Sequence, residues 1–265
     1  MFSIEIKCPP DRNDLLIAEL WEEGSAGIVE LEGGGLRAFF EDDAGRAALA
    51  SRFHAVSWRQ EDQRDWVAMS QANWEPLPVG ERFFLVPEWL DDAAPAGRFR
   101  IVVNPGMAFG TGRHETTQLC LEALETYAQP GVRMLDVGTG SGILAQAAAL
   151  LGARPVWACD IDPEAVEIAR GNAGPGVFVG SVDAARSGVA GLIAANISPE
   201  TIARLAPELL RCLCPGGVAL LSGFERQEAA AVGAAVERCG GRLGEVRSKG
   251  SWALLVVGAK LVGGV

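Results

Sequence analysis

The sequence predicts an α/β protein, a doubly wound seven-stranded sheet with one antiparallel strand, preceded by a small ferredoxin-like α+β domain. Three observations carry that expectation. Apolar strand candidates alternate with Ala-rich helix candidates along the C-terminal part of the chain, the pattern of a mostly parallel sheet with helices on both faces. The last two strand candidates are joined by Ser248, Lys249 and Gly250, a connection short enough to force an antiparallel pair. The first 60 residues read strand, helix, strand, strand, helix, strand, an order that suits a ferredoxin-like unit.

In the N-terminal domain, 1–60, residues 2–7 alternate Phe2, Ile4 and Ile6 with polar neighbours and read as a half-buried strand. After Pro9 and Pro10, Leu15, Leu16, Ala18 and Leu20 form an apolar stripe at helical spacing that Gly24 stops. Segments 26–31 and 36–40 flank Gly33, Gly34 and Gly35 as a hairpin, 43–52 is helical and 54–59 extended. Helices on one sheet face leave the other open, either as a docking surface or to be covered by the rest of the protein; docking is the expectation. Residues 61–74 carry charges, Trp66 and Trp74 without a core-forming pattern and read as an interdomain linker, part helix. The second domain, 75–265, has strand candidates at 132–137, 155–160, 176–179, 189–195, 217–223, 242–247 and 251–258. Helices are expected at about 114–128, 141–151, 163–171, 199–213 and 226–238.

Composition narrows the function classes. A net charge of −11, from 34 acids against 23 bases, disfavours free-standing DNA or RNA binding and is compatible with a basic protein partner or with solubility alone. Six cysteines lack zinc spacing, and two histidines, His54 and His114, make a His-based metal site a poor expectation. The cysteines read as buried, reduced core residues of a cytoplasmic protein. The N-terminus lacks a basic, apolar signal, and no uncharged apolar run reaches membrane-spanning length.

Residues 136–142 read Asp-Val-Gly-Thr-Gly-Ser-Gly, and Asp160-Ile161-Asp162 follows about twenty residues on. Gly138 and Gly140 let the chain turn sharply and approach a ligand without a Cβ in the way. Ile143 stands where a dinucleotide fingerprint has its third glycine, so the turn favours S-adenosylmethionine, whose link between ribose and amino acid needs no pyrophosphate cradle. Asp160 sits where ribose hydroxyls fall. The reversed strand is likewise unlike the all-parallel dinucleotide fold and points to a methyltransferase.

Two further stretches can carry chemistry. Loop 104–117 reads Asn-Pro-Gly-Met-Ala-Phe-Gly-Thr-Gly-Arg-His-Glu-Thr-Thr, the composition of a functional loop with unusual torsions. Thr116 and Thr117, at the first turn of the next helix, either offer hydroxyls and amides to a carboxylate or cap that helix. Phe109 is either lid or core, and His114 either a general base or a capping side chain. Asn196, at the carboxyl end of strand 189–195, can pair its side-chain oxygen with a neighbouring carbonyl to hold an amine with its lone pair aimed at an electrophile. Its other reading is to cap helix 199–213, a role Ser198 serves better. Asp183 either accepts from an adenine amino group or is an ordinary loop acid.

Together the segments 104–117, 134–142, 157–172, 192–208 and 215–224 resemble the bacterial ribosomal protein methyltransferase family called PrmA, over the C-terminal two-thirds of the chain. The N-terminal third agrees in layout more than in motif. The resemblance implies a class I methyltransferase that N-methylates lysines, and the terminal amine, of the large-subunit protein at the base of the ribosomal stalk, number eleven in the usual naming. It implies cofactor contacts at Thr117, Gly138, Asp160 and Asn196, with Phe109, His114 and Thr116 shaping the methionine end and the substrate entrance. It also implies that the small domain captures the substrate; from charge and hydropathy no membrane and no direct nucleic-acid binding are expected, and the chain is expected to be a monomer. Asn104 and Gly191 stand where the family usually has acids. The alternatives are methylation of another protein lysine, or an S-adenosylmethionine-binding assembly factor without catalysis.

Overall fold

The computed structural model describes residues 2–7, 13–31, 35–40, 46–60, 74–104, 112–174 and 176–259. The chain divides into two compact units, Met1–Glu75 and Pro76–Val265. The expected linker, except for Trp74, lies outside the described residues.

Unit 1 runs β1 (Phe2–Ile6), α1 (Asn13–Glu22), β2 (Gly27–Glu30), β3 (Leu36–Phe40), α2 (Arg46–Arg52) and β4 (Ser57–Gln60). The strands order as β2-β3-β1-β4, all antiparallel, which is the ferredoxin-like arrangement. Alternation along β1 and β3 turns Phe2, Ile4, Ile6, Leu36, Ala38 and Phe40 to one face, where Leu20 and Phe53 join them in the core. On the opposite face, which the sequence left either to docking or to cover by the rest of the protein, Ser3 and Phe39 are fully buried and are no part of an open docking surface. On that face Glu5 pairs with Arg37 and with Arg59 at 2.7 Å and accepts from Ser57 at 2.9 Å. These partners, the Arg37 hydrogen bond first, hold its carboxyl below the ordinary range.

Unit 2 opens with a three-stranded sheet that the sequence reading did not place: β5 (Leu77–Val79), β6 (Phe83–Pro87) and β7 (Phe99–Val103). The rest forms the expected seven-stranded sheet from β8 (Met134–Val137), β9 (Val156–Asp160), β10 (Val177–Val179), β11 (Ala190–Asn196), β12 (Leu213–Glu225), β13 (Gly241–Lys249) and β14 (Trp252–Ala259). Its order is β10-β9-β8-β11-β12-β14-β13, and β14 runs antiparallel to both neighbours. The helices are α3 (Glu115–Tyr127), α4 (Ile143–Leu150), α5 (Pro163–Ala173), α6 (Pro199–Cys212) and α7 (Ala229–Arg238). On one face, Ile202, Ala206 and Leu209 of α6 and Val232 and Val236 of α7 bury Leu135, Val137, Ile193, Ala195 and Leu221. Ala145, Val166 and Ala169, from α4 and α5, cover Ala158 and Val177 on the other. No helix among the described residues is long and apolar enough to cross a membrane.

The cysteines are less uniform than expected. Cys120, Cys159 and Cys212 are buried, Cys214 is half-buried, and Cys239 is exposed where the chain leaves α7.

Candidate active site

Two central strands end side by side. Leu192 to Ala195 of β11 pair in register with Met134 to Val137 of β8, so Gly138 and Asn196 leave the sheet at one level. Strand order runs outward in both directions from this pair, the switch point at which an open α/β sheet leaves a crevice. A cleft of about 480 Å³ opens there, lined by Thr117, Gly138, Gly140, Asp160, Ile161, Ser181 and Asn196 among others.

The turn after β8 is tightly wired. The amides of Gly138 and Thr139 both donate to the Cys159 carbonyl, at 2.9 and 3.1 Å, and the Gly142 amide donates to Thr139 at 2.9 Å. Gly138 has φ +69°, and a Cβ on it would run into the Ile197 side chain. Gly223, φ +99°, is pressed equally closely against the Ile197 backbone. Ile197 is therefore clamped between two glycines. The sequence reading gave Gly138 a sharp turn and a ligand approach; its positive φ fits the turn, and the space a Cβ would take holds a side chain of the neighbouring turn.

Asp160, half-buried at the end of β9, accepts the Gly140 amide on Oδ2 at 2.9 Å and the Asp162 amide on Oδ1 at 3.1 Å. Each oxygen keeps lone-pair capacity for one more donor, which suits a pair of adjacent hydroxyls. Asp162 itself caps α5 by accepting from the Glu164 amide at 2.9 Å, with Pro163 opening the helix.

Asn196 donates from Nδ2 to the Thr117 hydroxyl at 3.4 Å. That contact leaves Oδ1 as an acceptor at the strand end. Helix α6 is capped by Ser198, whose hydroxyl accepts from the Thr201 amide at 3.3 Å, so Asn196 is not spent on capping.

The other expected residues lie elsewhere. His114 is the N-cap of α3; its Nδ1 lies 2.8 Å from the Thr116 hydroxyl and accepts from the Thr116 amide at 3.4 Å. Its ring meets the Trp252 ring edge-on at 4.5 Å. Of the two roles weighed for His114 the structure gives it the cap, and neither His114 nor Thr116 lines the cleft. Asp183 is exposed on the 3-10 turn Val182–Ala184 and does not line it either, although Ser181, two residues earlier, does. Phe109 lies outside the described residues.

Sequence reasoning missed Asp136. This acid is fully buried below the glycine turn, and its Oδ2 accepts from the Thr139 hydroxyl at 2.6 Å and the Ala145 amide at 3.2 Å. Oδ1 has no hydrogen-bond partner among the described residues. Burial pushes its carboxyl up to about 6. The signal was an acid inside the apolar run Met134-Leu135-Asp136-Val137. Burial first, with Asp136 beside them, also pushes the Cys159 thiol up to about 12 and raises that of Cys120, so neither is a ready nucleophile. Thr201, Arg204 and Leu205 of α6 line the cleft as well, one helix face following the strand end.

With β14 the reversed strand and the crevice at the β8/β11 switch, the chain has the fold of the class I methyltransferases, a class that takes its methyl group from S-adenosylmethionine. The chain belongs to one family of that class: a family model described as Ribosomal protein L11 methyltransferase (PrmA) matches residues 4–260. The Ribosomal protein L11 methyltransferase of Pelotomaculum thermopropionicum is 42% identical over 213 residues, covering 78% of this chain and 69% of the relative. That of Synechococcus elongatus is 34% identical over 287 aligned positions, covering 96% and 95%. A crystal structure of ribosomal protein L11 methylase from Lactobacillus delbrueckii subsp. bulgaricus superposes with a TM-score of 0.66 at 31% identity, over 71% of this chain and 100% of that one.

Proposed function

We propose that this methyltransferase uses S-adenosylmethionine to N-methylate ribosomal protein L11 on lysine side chains, with the N-terminal amine as a second target of the same chemistry. The observation that carries the reading is Asn196, held by Thr117 at the end of β11, level with the glycine turn and in one cleft with Asp160.

The residues present fit the cofactor. Asp160 offers two oxygens with spare lone pairs to a ribose diol, and the cleft volume is in the range of small-molecule sites. The glycine-turn amides are spent within the protein, so no phosphate cradle remains, which suits a cofactor linked through a sulfonium and not a pyrophosphate. When bound, the cofactor supplies an already activated methyl group.

The protein's part is geometry and desolvation. Asn196 Oδ1 accepts from the incoming amine, and the Thr117 hydrogen bond fixes the amide plane so that the amine lone pair has one direction. A lysine amine, with an ordinary pKa of about 10.4, must lose its proton to attack. Val137, Ile143, Leu144 and Ile197 line the cleft and disfavour the charged form there. His114 is engaged as a cap, so water at the open mouth takes the proton. Capture of the substrate is assigned to unit 1, on which Trp21 and Trp58 are 45% and 50% exposed.

The test is incubation of the full chain with labelled S-adenosylmethionine and purified L11, beside a total ribosomal protein extract and ribosomal RNA. Label in L11 supports the reading. Label confined to RNA or to other proteins, or binding without transfer, overturns it.

A further inference from the structure

One cleft residue has no role in the reading above. Arg204 of α6 lines the cleft, is exposed, and forms neither an ion pair nor a hydrogen bond among the described residues. With Asp160 it is one of two charged side chains in the described lining.

Helix α6 sets its position. The Arg211 side chain donates to the Ala185 carbonyl at 2.9 Å and the Cys212 thiol to the Val182 carbonyl at 3.5 Å, so α6 runs beside the turn that follows β10. Ser181, which opens that turn, lines the cleft, as does Ile161, 77% exposed after β9. In strand order the cleft is thus lined by Asn196 of β11, Gly138 after β8, Asp160 and Ile161 at the end of β9 and, at its far end, Ser181 after β10, with Arg204 reaching it from α6, whose C-terminal end lies beside the β10 turn.

A single cation beside spent backbone amides is a poor phosphate site. The amides of Gly138, Thr139, Gly140 and Gly142 all bond within the protein. A guanidinium is planar and weakly hydrated, and without an acid partner it packs on an aromatic face. With the ribose on Asp160, a reading on which this inference rests, the base attached to that ribose points away from Asn196 into the far end. We propose that Arg204 lays its guanidinium on one face of the adenine while Ile161 covers the other, making it a cofactor-specificity residue.

Titration calorimetry on the full chain tests this with two ligands, S-adenosylhomocysteine and 5′-methylthioadenosine, which lacks the amino acid. Arg204→Ala should weaken both by a similar factor, roughly three- to thirtyfold, and Arg204→Lys should recover little, since a point charge lacks the planar face. A loss for S-adenosylhomocysteine alone would mean that Arg204 grips the carboxylate, and would overturn the proposal. Unchanged affinity for both ligands, or full recovery with Arg204→Lys, would overturn it too. Asp160→Ala measured in parallel reports on the ribose reading separately: unchanged affinity there removes the premise, whereas a loss there with Arg204→Ala silent removes the stacking alone.

Discussion

The two turns that meet at the switch point are built to opposite specifications. The glycine turn after β8 has its amides committed: Gly138 and Thr139 to Cys159, Gly140 to Asp160, Gly142 to Thr139. The turn after β11 leaves Asn196 with one long hydrogen bond, 3.4 Å to Thr117, and an open acceptor. On the proposed function, a rigid turn beside an under-committed side chain separates holding from reacting. Ile197 joins the two, because its side chain fills the space that Gly138 leaves and its backbone the space at Gly223.

Substitutions on the two sides should fail differently. The largest effect belongs to Asn196→Ala, which removes an oriented acceptor from the reacting centre. Turnover at saturating cofactor should fall roughly 100-fold or more, with cofactor affinity changed far less. Steady-state rates paired with calorimetry check this, and near-normal turnover would erase the distinction. Gly138→Ala should instead unfold the clamp. It forces a Cβ toward Ile197 at a backbone angle that side chains rarely adopt, at a cost of about 2–4 kcal/mol. Adding Ile197→Ala should return part of that loss in a thermal or urea melt, because the two sites share one space. Strict additivity would show that the turns are not coupled.

How much of this was legible beforehand follows the same division. The large sheet was readable because its strands and helices repeat a simple periodicity, and the reversed β14 because three residues cannot make a parallel crossover. Strands β5 to β7 were not placed, although Phe83-Phe84-Leu85-Val86 and Ile101-Val102-Val103 are rich in strand formers. They are short and broken by Gly80, Pro87 and Gly97, so no window shows a period. At the site, Gly138, Gly140, Asp160 and Asn196, whose positions follow from strand ends, do come together, joined by Thr117 from the first turn of α3. His114 and Asp183 were chosen for side-chain chemistry and lie off the cleft, since nothing local says that a cap or an exposed turn has claimed them. Asp136 was hidden for the converse reason: a buried acid serving the turn resembles an ordinary motif letter until its orphaned oxygen is seen.

A smaller effect is expected at the boundary of the rigid side. Asp160→Ala removes the two acceptors proposed for the ribose and frees the Gly140 amide, so cofactor affinity should drop about tenfold. Turnover at saturating cofactor should stay within a few-fold of wild type. An unchanged dissociation constant by calorimetry would take the ribose off Asp160. A collapse in saturated turnover would move Asp160 to the reacting side.

The smallest effect tests what the rigid turn costs when nothing is bound. Asp136 sits at about 6 instead of 3.8, because burial penalises its charged form more than Thr139 and Ala145 relieve it. A carboxyl raised in the folded state favours folding below about pH 4, and that contribution is lost as pH rises through about 6. Asp136→Asn keeps the shape and cannot ionise. The variant should therefore start below wild type near pH 4 and gain on it from about pH 5 upward, ending roughly 1–2 kcal/mol above it near pH 8. The gain stays below the full linkage value because the new amide brings two donors into a place with little to accept them. Urea melts of both proteins across that range decide it. A difference that does not depend on pH would mean that the buried carboxyl is not the source, and that the turn is held without strain from the charge beneath it.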